Sequence, residues 1–405
     1  MECHPRLRAV EAHSIVEEGH PYLLLRDPLQ LTERALLVPQ ELGPLLLLCD
    51  GTRDLDGLAA ALAVRYGLQV RPDLLRQFVQ VLDEALLLDN ERFAQAHAAA
   101  LASFRGLPYR APALAGQAYP AEAGPLQALL QGYLDALEDE PELAGLPAPR
   151  GLITPHIDYD RGGAIYARVW SRAAAAARAA ERVIILGTDH NGNGSDVSLT
   201  RQHYATPFGV LPTPGEAVER LAAAVGEQSA FEGELFHQKE HSIELAAVWL
   251  HFIRGGTPCE LVPILCGPLA RLLQPAANPE DDLALSRLVD ALRAIAAERR
   301  TLVVAAADLA HVGPAFGGRP LEAAGRARLQ SADEALLSRV RAGDAEGFLA
   351  AIRENGNEHN VCGVSAIYLA LRLLGDARGE QVAYASCPAD DHDTSAVTVC
   401  GVLLR

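Results

Sequence analysis

"VIILGTDHNG", residues 183–192, is the stretch on which the fold turns. Strand-forming apolar residues run into a turn of Gly187, Thr188 and Asp189, which delivers the chain onto His190. A buried strand that ends in a polar loop is where open α/β sheets place ligands and chemistry. One such strand carries little weight, so the test is whether others end alike. "GLITPHIDYDRGG" (151–163) ends on His156, and "TLVVAAADLAHVGP" (301–314) ends on Asp308 and His311. Strands of one parallel sheet finish on one edge, so these loops are expected to converge in a single crevice. A lone histidine after a strand is ordinarily a capping or satisfied core residue. Three strand ends with the same habit point to a site.

Outward from there, strands and helices alternate. "GGAIYARVWSRAAAAARAA" (162–180), "EDDLALSRLVDALRAIAAERR" (280–300) and "VCGVSAIYLALRLLG" (361–375) carry helical spacing. "ELVPILCG" (260–267), "EQVAYASC" (380–387) and "AVTVCGVLLR" (396–405) read as strands, the last two as neighbours. The pattern predicts an α/β domain over 112–405, a largely parallel sheet flanked by helices. Residues 10–92 form a separate block. "YLLLRDP" and "ALLVP" are short strands around a turn, followed by helical stretches broken at Asp50-Gly51 and ending in "RPDLLRQFVQVLDEALLLDN". This block is expected to be a small winged-helix-like α+β domain. The Ala-, Pro- and Gly-rich stretch 93–111 reads as a linker.

With 52 acidic against 35 basic residues the net charge is −17, which excludes nucleic acid as a main partner because phosphate binding needs clustered cations. Of the basic residues only Lys239 is a lysine; with alanine and leucine so abundant, this reads as compositional bias. The seven cysteines (Cys3, Cys49, Cys259, Cys266, Cys362, Cys387, Cys400) form no C-x-x-C pair, so neither a zinc ribbon nor a disulfide framework is indicated. No apolar run is long enough to span a bilayer, and the first twenty residues lack the apolar core of a signal peptide. A reduced, cytoplasmic protein is expected. No phosphate-loop, dinucleotide or nucleophile-elbow motif occurs.

Three further stretches bear on chemistry. In "NEHNVCGVSAIYLAL", Cys362 stands just before a helix start, where amide dipoles favour a thiolate, and Gly363 permits close backbone approach. In "FHQKEHSIELAAVWLHF", His241 and Glu244 are candidate proton donors or acceptors, Ser242 reads as a helix cap, and His237 and Lys239 read as solvated. The order is not H-E-x-x-H, so there is no zincin signal. "ASCPADDHDTSAVTV" sets His392 among Asp390, Asp391 and Asp393 and reads as a polar hairpin loop.

"ALAGQAYPAEAGPLQALLQGYL", "ITPHIDYDRGG", "ILGTDHNG", "EHSIELAAVWL", "VPILCG", "AAADLAH" and "NVCGVSAI" occur in the order expected of the MEMO family, also called AmmeMemoRadiSam system protein B, which residues 112–405 resemble. The resemblance implies an α/β fold similar to class III extradiol dioxygenases. It also implies a metal site, with Fe(II) foremost and Cu or Zn behind, held by His156, His190 and Cys362. Asp308, His311 and His241 fall on pocket positions, with His241 and His311 as acid/base groups and Asp308 orienting His311. Two departures remove polar groups: Leu114 stands where the family usually has a histidine, and Val364-Ser365 where it often has arginine and histidine. The expected chemistry is that of a non-haem iron or copper oxidoreductase; a non-enzymatic adaptor is the alternative. Residues 10–92, through "LLLRDP", "LLLLCDGTRDLDGLAAAL" and "LDEALLLDN", resemble PqqD-like domains, which implies peptide docking by strand addition and a radical-SAM partner.

Overall fold

A computed structural model describes residues 4–138, 146–192, 194–274 and 277–405; Cys3 lies outside them. The chain divides into two compact units, Met1–Gly106 and Leu107–Arg405.

The first unit is an antiparallel sheet of β1 (Glu11–Glu17), β2 (His20–Arg26) and β3 (Leu36–Pro39), in that order, followed by α1 (Gly43–Leu48), α2 (Leu55–Tyr66), α3 (Pro72–Glu84) and α4 (Glu91–Gly106). β1 escaped the sequence reading. Its signal is the two-residue turn Glu18-Gly19, both at positive φ (49° and 81°), which pairs Glu17 with His20. Such a turn matches the twist of the strands it joins. Asp54 caps α2 by accepting from Gly57 N. Leu25, Val38, Val79, Leu82 and Leu87 form the core between sheet and helices. The stretch read as a linker is instead helical through Gly106, because its run of alanines, the best helix formers, outweighs the Pro-Gly signal further along.

The second unit opens with α5 (Ala123–Asp135), β4 (Gly151–Thr154), α6 (Tyr159–Ala179) and β5 (Arg182–Thr188). Then come β6 (Val197–Leu199), a small β7 (Tyr204–Thr206) and β8 (Gly209–Leu211) hairpin, α7 (Gly215–Val225), α8 (Glu227–Glu232), α9 (Ser242–Ile253) and β9 (Glu260–Cys266). α10 (Leu283–Ala297), β10 (Thr301–Ala306), β11 (His311–Val312), α11 (Ala323–Arg341), α12 (Ala345–Glu354), α13 (Val364–Leu374), β12 (Gly379–Pro388) and β13 (Ala396–Leu404) complete it. The main sheet runs β11-β13-β4-β10-β5-β9-β6, with β12 pairing β13.

Its centre, β4-β10-β5-β9, is parallel, and both flanks are antiparallel. The sheet is therefore mixed, with the parallel part where the site-bearing strands lie. Ala306 pairs with Thr154 on one side and Gly187 on the other, and Thr188 pairs with Cys266, so the carboxyl ends are level. Ile184, Leu186, Val262, Ile264, Val303 and Ala305, alternate residues on their strands, pack with α10, α12 and α13. α6 and α9 pack against each other and against β4 and β5. β5 is buried from end to end, as a central parallel strand covered on both faces must be. Gly187 and Thr188 thus belong to the strand and not to the turn after it. A Cβ on Gly187 would meet Ile243 Cγ1 at 2.5 Å, so glycine is what lets α9 start against β5.

Candidate metal centre

The three strand ends do meet. His156, two residues past β4, is fully buried; its N donates to Asp308 Oδ1 (2.8 Å), and its Nδ1 lies 2.9 Å from Ala306 O. A carbonyl can only accept, so Nδ1 carries the proton and Nε2 keeps its lone pair for the pocket. His190 follows β5, and His241 is the residue just before α9. The rings of His156 and His190 are 4.9 Å apart, those of His156 and His241 5.4 Å, and those of His190 and His241 4.6 Å. One nitrogen from each lies within 4.8 Å of the other two, the group of side chains able to hold a metal ion among the described residues.

A single carboxylate organises two of these rings. Glu240, with its side chain 2% exposed, lies 3.0 Å from both His190 Nδ1 and His241 Nδ1 through Oε1. It also accepts from the backbone N of His190 (3.1 Å), His241 (2.8 Å) and Ser242 (3.0 Å). A carboxylate on the far nitrogen of an imidazole fixes ring and tautomer and raises the basicity of the other nitrogen, the usual support for a metal-binding histidine. Ser242 is therefore not the cap expected; Glu240 serves the amides, and Ser242 Oγ donates to Thr188 O (2.8 Å) instead.

Cys362 arrives from another direction. Its Sγ is 3.3 Å from His156 Nε2 and 3.8 Å from Asp308 O. Gly363 N donates to Asp308 O (3.1 Å), and a Cβ on Gly363 would meet Ala307 Cβ at 2.5 Å. The close backbone approach expected of that glycine is thus what seats the cysteine beside β10. The expected thiolate is not favoured: burial, then the Asp308 charge, push the Cys362 thiol well above its ordinary range.

Charge in the pocket follows burial. Desolvation, then the neighbouring rings of His190 and His241, hold His156 well below the usual imidazole range, so it is neutral, the form that binds metal. Burial opposes charge on His190, but the Glu240 carboxylate outweighs it and raises that imidazole. Burial would raise Glu240, yet hydrogen bonds from His190 and His241 hold it well below the carboxylate range. Burial raises Asp308 and lowers His311. Partial desolvation and then the Glu240 charge push Asp189, itself half-buried, up to about 6.

Asp308 does not orient His311 as expected. It is occupied with His156, while His311 Nδ1 faces Leu309 O (3.2 Å). Both still line one cavity of about 560 Å³ with His156, His190 and His241. Apolar walls come from Leu114, Ile157, Leu245, Phe316 and Val397, and Arg161 and Lys239 supply cations. The side chains of His190 and His241 are 30% and 36% exposed, so the cluster opens toward this space.

Glu244 is not in the pocket. Fully buried, it accepts from Arg110, Tyr119 OH and the amides of Ala113 and Leu114 (2.8 Å each). Arg110 also donates to His237 O and Glu240 O (2.8 Å each), tying the segment before α5 to the loop that carries Glu240. His237, read as solvated, is wholly buried between Tyr204 OH (2.6 Å) and Ser198 O (2.9 Å). Lys239 is exposed but lines the cavity. His392 sits in a loop where Asp390 accepts from its N (3.0 Å) and from Thr394 N (2.8 Å), a hairpin turn by its bonding. Among the described residues no helix is long and apolar enough to cross a membrane.

A family described as "Memo-like protein" matches residues 110–402. Similar proteins include a MEMO1 family protein of Aquifex aeolicus, 26% identical over 300 residues and 73% of each chain. One from Methanopyrus kandleri is 28% identical, covering 71% of this chain and 95% of its own. Another from Thermus thermophilus is 28% identical, covering 82% of this chain and 93% of its own.

Proposed function

The chain belongs to the Memo-like protein family, and on that premise we propose that the crevice of its second unit is a transition-metal centre acting on a small molecule. The observation that carries this reading is the convergence of His156, His190 and His241, with Nδ1 of each already engaged and three donor nitrogens within 4.8 Å. Three imidazoles leave further coordination positions on the cavity side, as a reactive site requires. Fe(II) or Cu held there would supply redox and oxygen chemistry of the kind class III extradiol dioxygenases perform, and the level ends of β4, β5 and β10 support placing the fold beside theirs. His311, neutral through burial, is the base free to take a proton from a substrate in the cavity. His156 is kept a neutral donor by Ala306 O, and Asp308 holds its backbone.

A thiolate as third ligand, the set His156, His190 and Cys362, is the second reading. Two ligands of one tetrahedral ion, with bonds of about 2.0 Å to nitrogen and 2.3 Å to sulfur, stand roughly 3.5 Å apart. The 3.3 Å between Cys362 Sγ and His156 Nε2 favours it. Metal analysis after anaerobic purification decides. His156→Ala and His190→Ala are expected to lose the ion, and whichever of His241→Ala and Cys362→Ala loses it identifies the third donor. Unchanged metal in both His156→Ala and His190→Ala overturns the centre altogether. Oxygen uptake with catechol-like compounds separates an enzyme from a metal-bearing adaptor.

Metal affinity should fall with pH. His190 is raised above its ordinary value by Glu240, so near neutrality an incoming ion must displace a proton, and more so as the solution becomes acidic. Calorimetric titration at pH 8, 7 and 6 should show steadily weaker binding. Affinity flat over that range would mean that His190 is not a ligand.

For the first unit, docking of an extended peptide is the reading supported by a groove of about 470 Å³ beside edge strand β3. Leu37, Leu74 and Val81 are its exposed apolar walls, at 45%, 46% and 38%. An edge strand offers unpaired backbone groups for strand addition, and the apolar walls would give side-chain selectivity. A PqqD-like role, presenting the peptide to a radical-SAM partner, would use this surface. Displayed peptide libraries panned on the full chain should enrich alternating apolar sequences that Val81→Asp no longer retains; equal retention by the variant would remove the groove from the account.

A further inference from the structure

We infer that Lys239 is the specificity-determining residue of the metal pocket and that it selects substrates carrying a carboxylate. The proposal rests on the metal-centre reading and adds the substrate class. Lys239 is the only lysine in a chain whose other basic side chains are all arginine. That position lines the cavity beside His190 and His241. It is also the pocket's unmatched charge. Arg161, the other cation on the wall, is engaged by Asp158 at 2.7 Å through Nε. Glu240, next in sequence to Lys239, turns its carboxylate inward to His190 and His241. Asp308 is committed to His156. Among the described residues Lys239 has no ion-pair partner.

The choice of lysine over arginine has physical content. A guanidinium is a rigid planar fork, whereas an ammonium is a compact point charge on a flexible stem, able to follow a carboxylate on ligands of different length. The walls Ile157, Leu245 and Phe316 suit an apolar or aromatic body behind that carboxylate. A small aromatic or aliphatic acid would place its body on the apolar wall, its charge on Lys239 and its reacting end toward the histidines.

A single lysine is also its own reporter. Reductive 13C-methylation of the full-length protein labels Lys239 and the α-amine only and preserves the charge; Lys239→Arg identifies which resonance is which. With benzoate as probe, the dimethyllysine signal should shift saturably, and benzyl alcohol, its uncharged analogue, should leave it in place. Lys239→Ala should weaken benzoate binding about tenfold by calorimetry, the scale of one charge-assisted hydrogen bond, with metal content unchanged. The titration is run with metal loaded and again after chelation. A shift that survives chelation keeps this inference alive even if the metal-centre reading fails. Metal bound normally but no benzoate shift overturns it and leaves the metal centre standing. An equal shift with inorganic phosphate at the same concentration overturns the carboxylate assignment.

Discussion

Glu244→Leu is expected to destabilise the second unit by about 3–5 kcal/mol, read as a fall of about 5–8 °C in melting temperature. The reason lies in what remains behind. Glu244 and Arg110 are 0% and 1% exposed, and without the carboxylate a guanidinium stays in the interior with its charge unmatched. The amides of Ala113 and Leu114 and the Tyr119 hydroxyl lose their acceptor in the same step. Removing both charges should hurt less than removing one, because much of the cost is the orphaned partner and not the lost attraction. The double variant Arg110→Met/Glu244→Leu is therefore expected to melt above the single Glu244→Leu. If the double variant is the less stable by the full sum of the two singles, the pair is not coupled and the account of this contact is wrong. Metal content adds a second readout, since Arg110 also holds Glu240 O and loosening it slackens the loop behind His190 and His241.

This pair also marks where the sequence stops being legible. Strand ends at His156, His190 and Asp308 could be read because apolar runs that finish on polar residues have a local signature, and their convergence follows from parallel pairing alone. Gly363 could be read as a close-approach residue for the same reason. Glu240, Glu244 and His237 lie within eight residues of one another, yet one braces two imidazoles, one anchors a distant segment, and one is a core histidine. Spacing cannot separate these roles. Each is set by a partner some 30 to 130 positions away, and periodicity carries no information about such pairs. Sequence proximity pairs Asp308 with its near neighbour His311, but β10 lies beside β4, and register gives it to His156. β1 is hard to see in the sequence because its alternation is weak and its signal sits in the Glu18-Gly19 turn. The alanine-rich stretch before the second unit shows the converse, composition suggesting a linker where helix propensity prevails.

Glu240→Gln should lower metal affinity by about 10–100-fold, the cost usually seen when the group orienting a ligand is altered, with little loss of stability. Glutamine keeps the size and one acceptor oxygen, which in the place of Oε1 still accepts from the amides of His241 and Ser242, while the amide of His190 loses Oε2. It cannot serve both imidazoles as a shared anion does. The amide oxygen in the place of Oε1 still faces both Nδ1 atoms but without the anionic charge that holds and polarises the two rings, and the NH2 group in the place of Oε2 opposes the backbone N–H of His190 and displaces that ligand. The change would also lower His190, since the carboxylate is what raises it against burial. With less proton competition, the pH dependence of metal binding should flatten in Glu240→Gln even as affinity at pH 8 drops. The two effects have opposite signs at low pH, so wild type and variant should approach each other in affinity as pH falls. Isothermal titration of both proteins from pH 8 to 6 measures this directly. Parallel curves would show that Glu240 braces the loop without tuning the rings, and the carboxylate–imidazole coupling at the heart of the site would have to be given up.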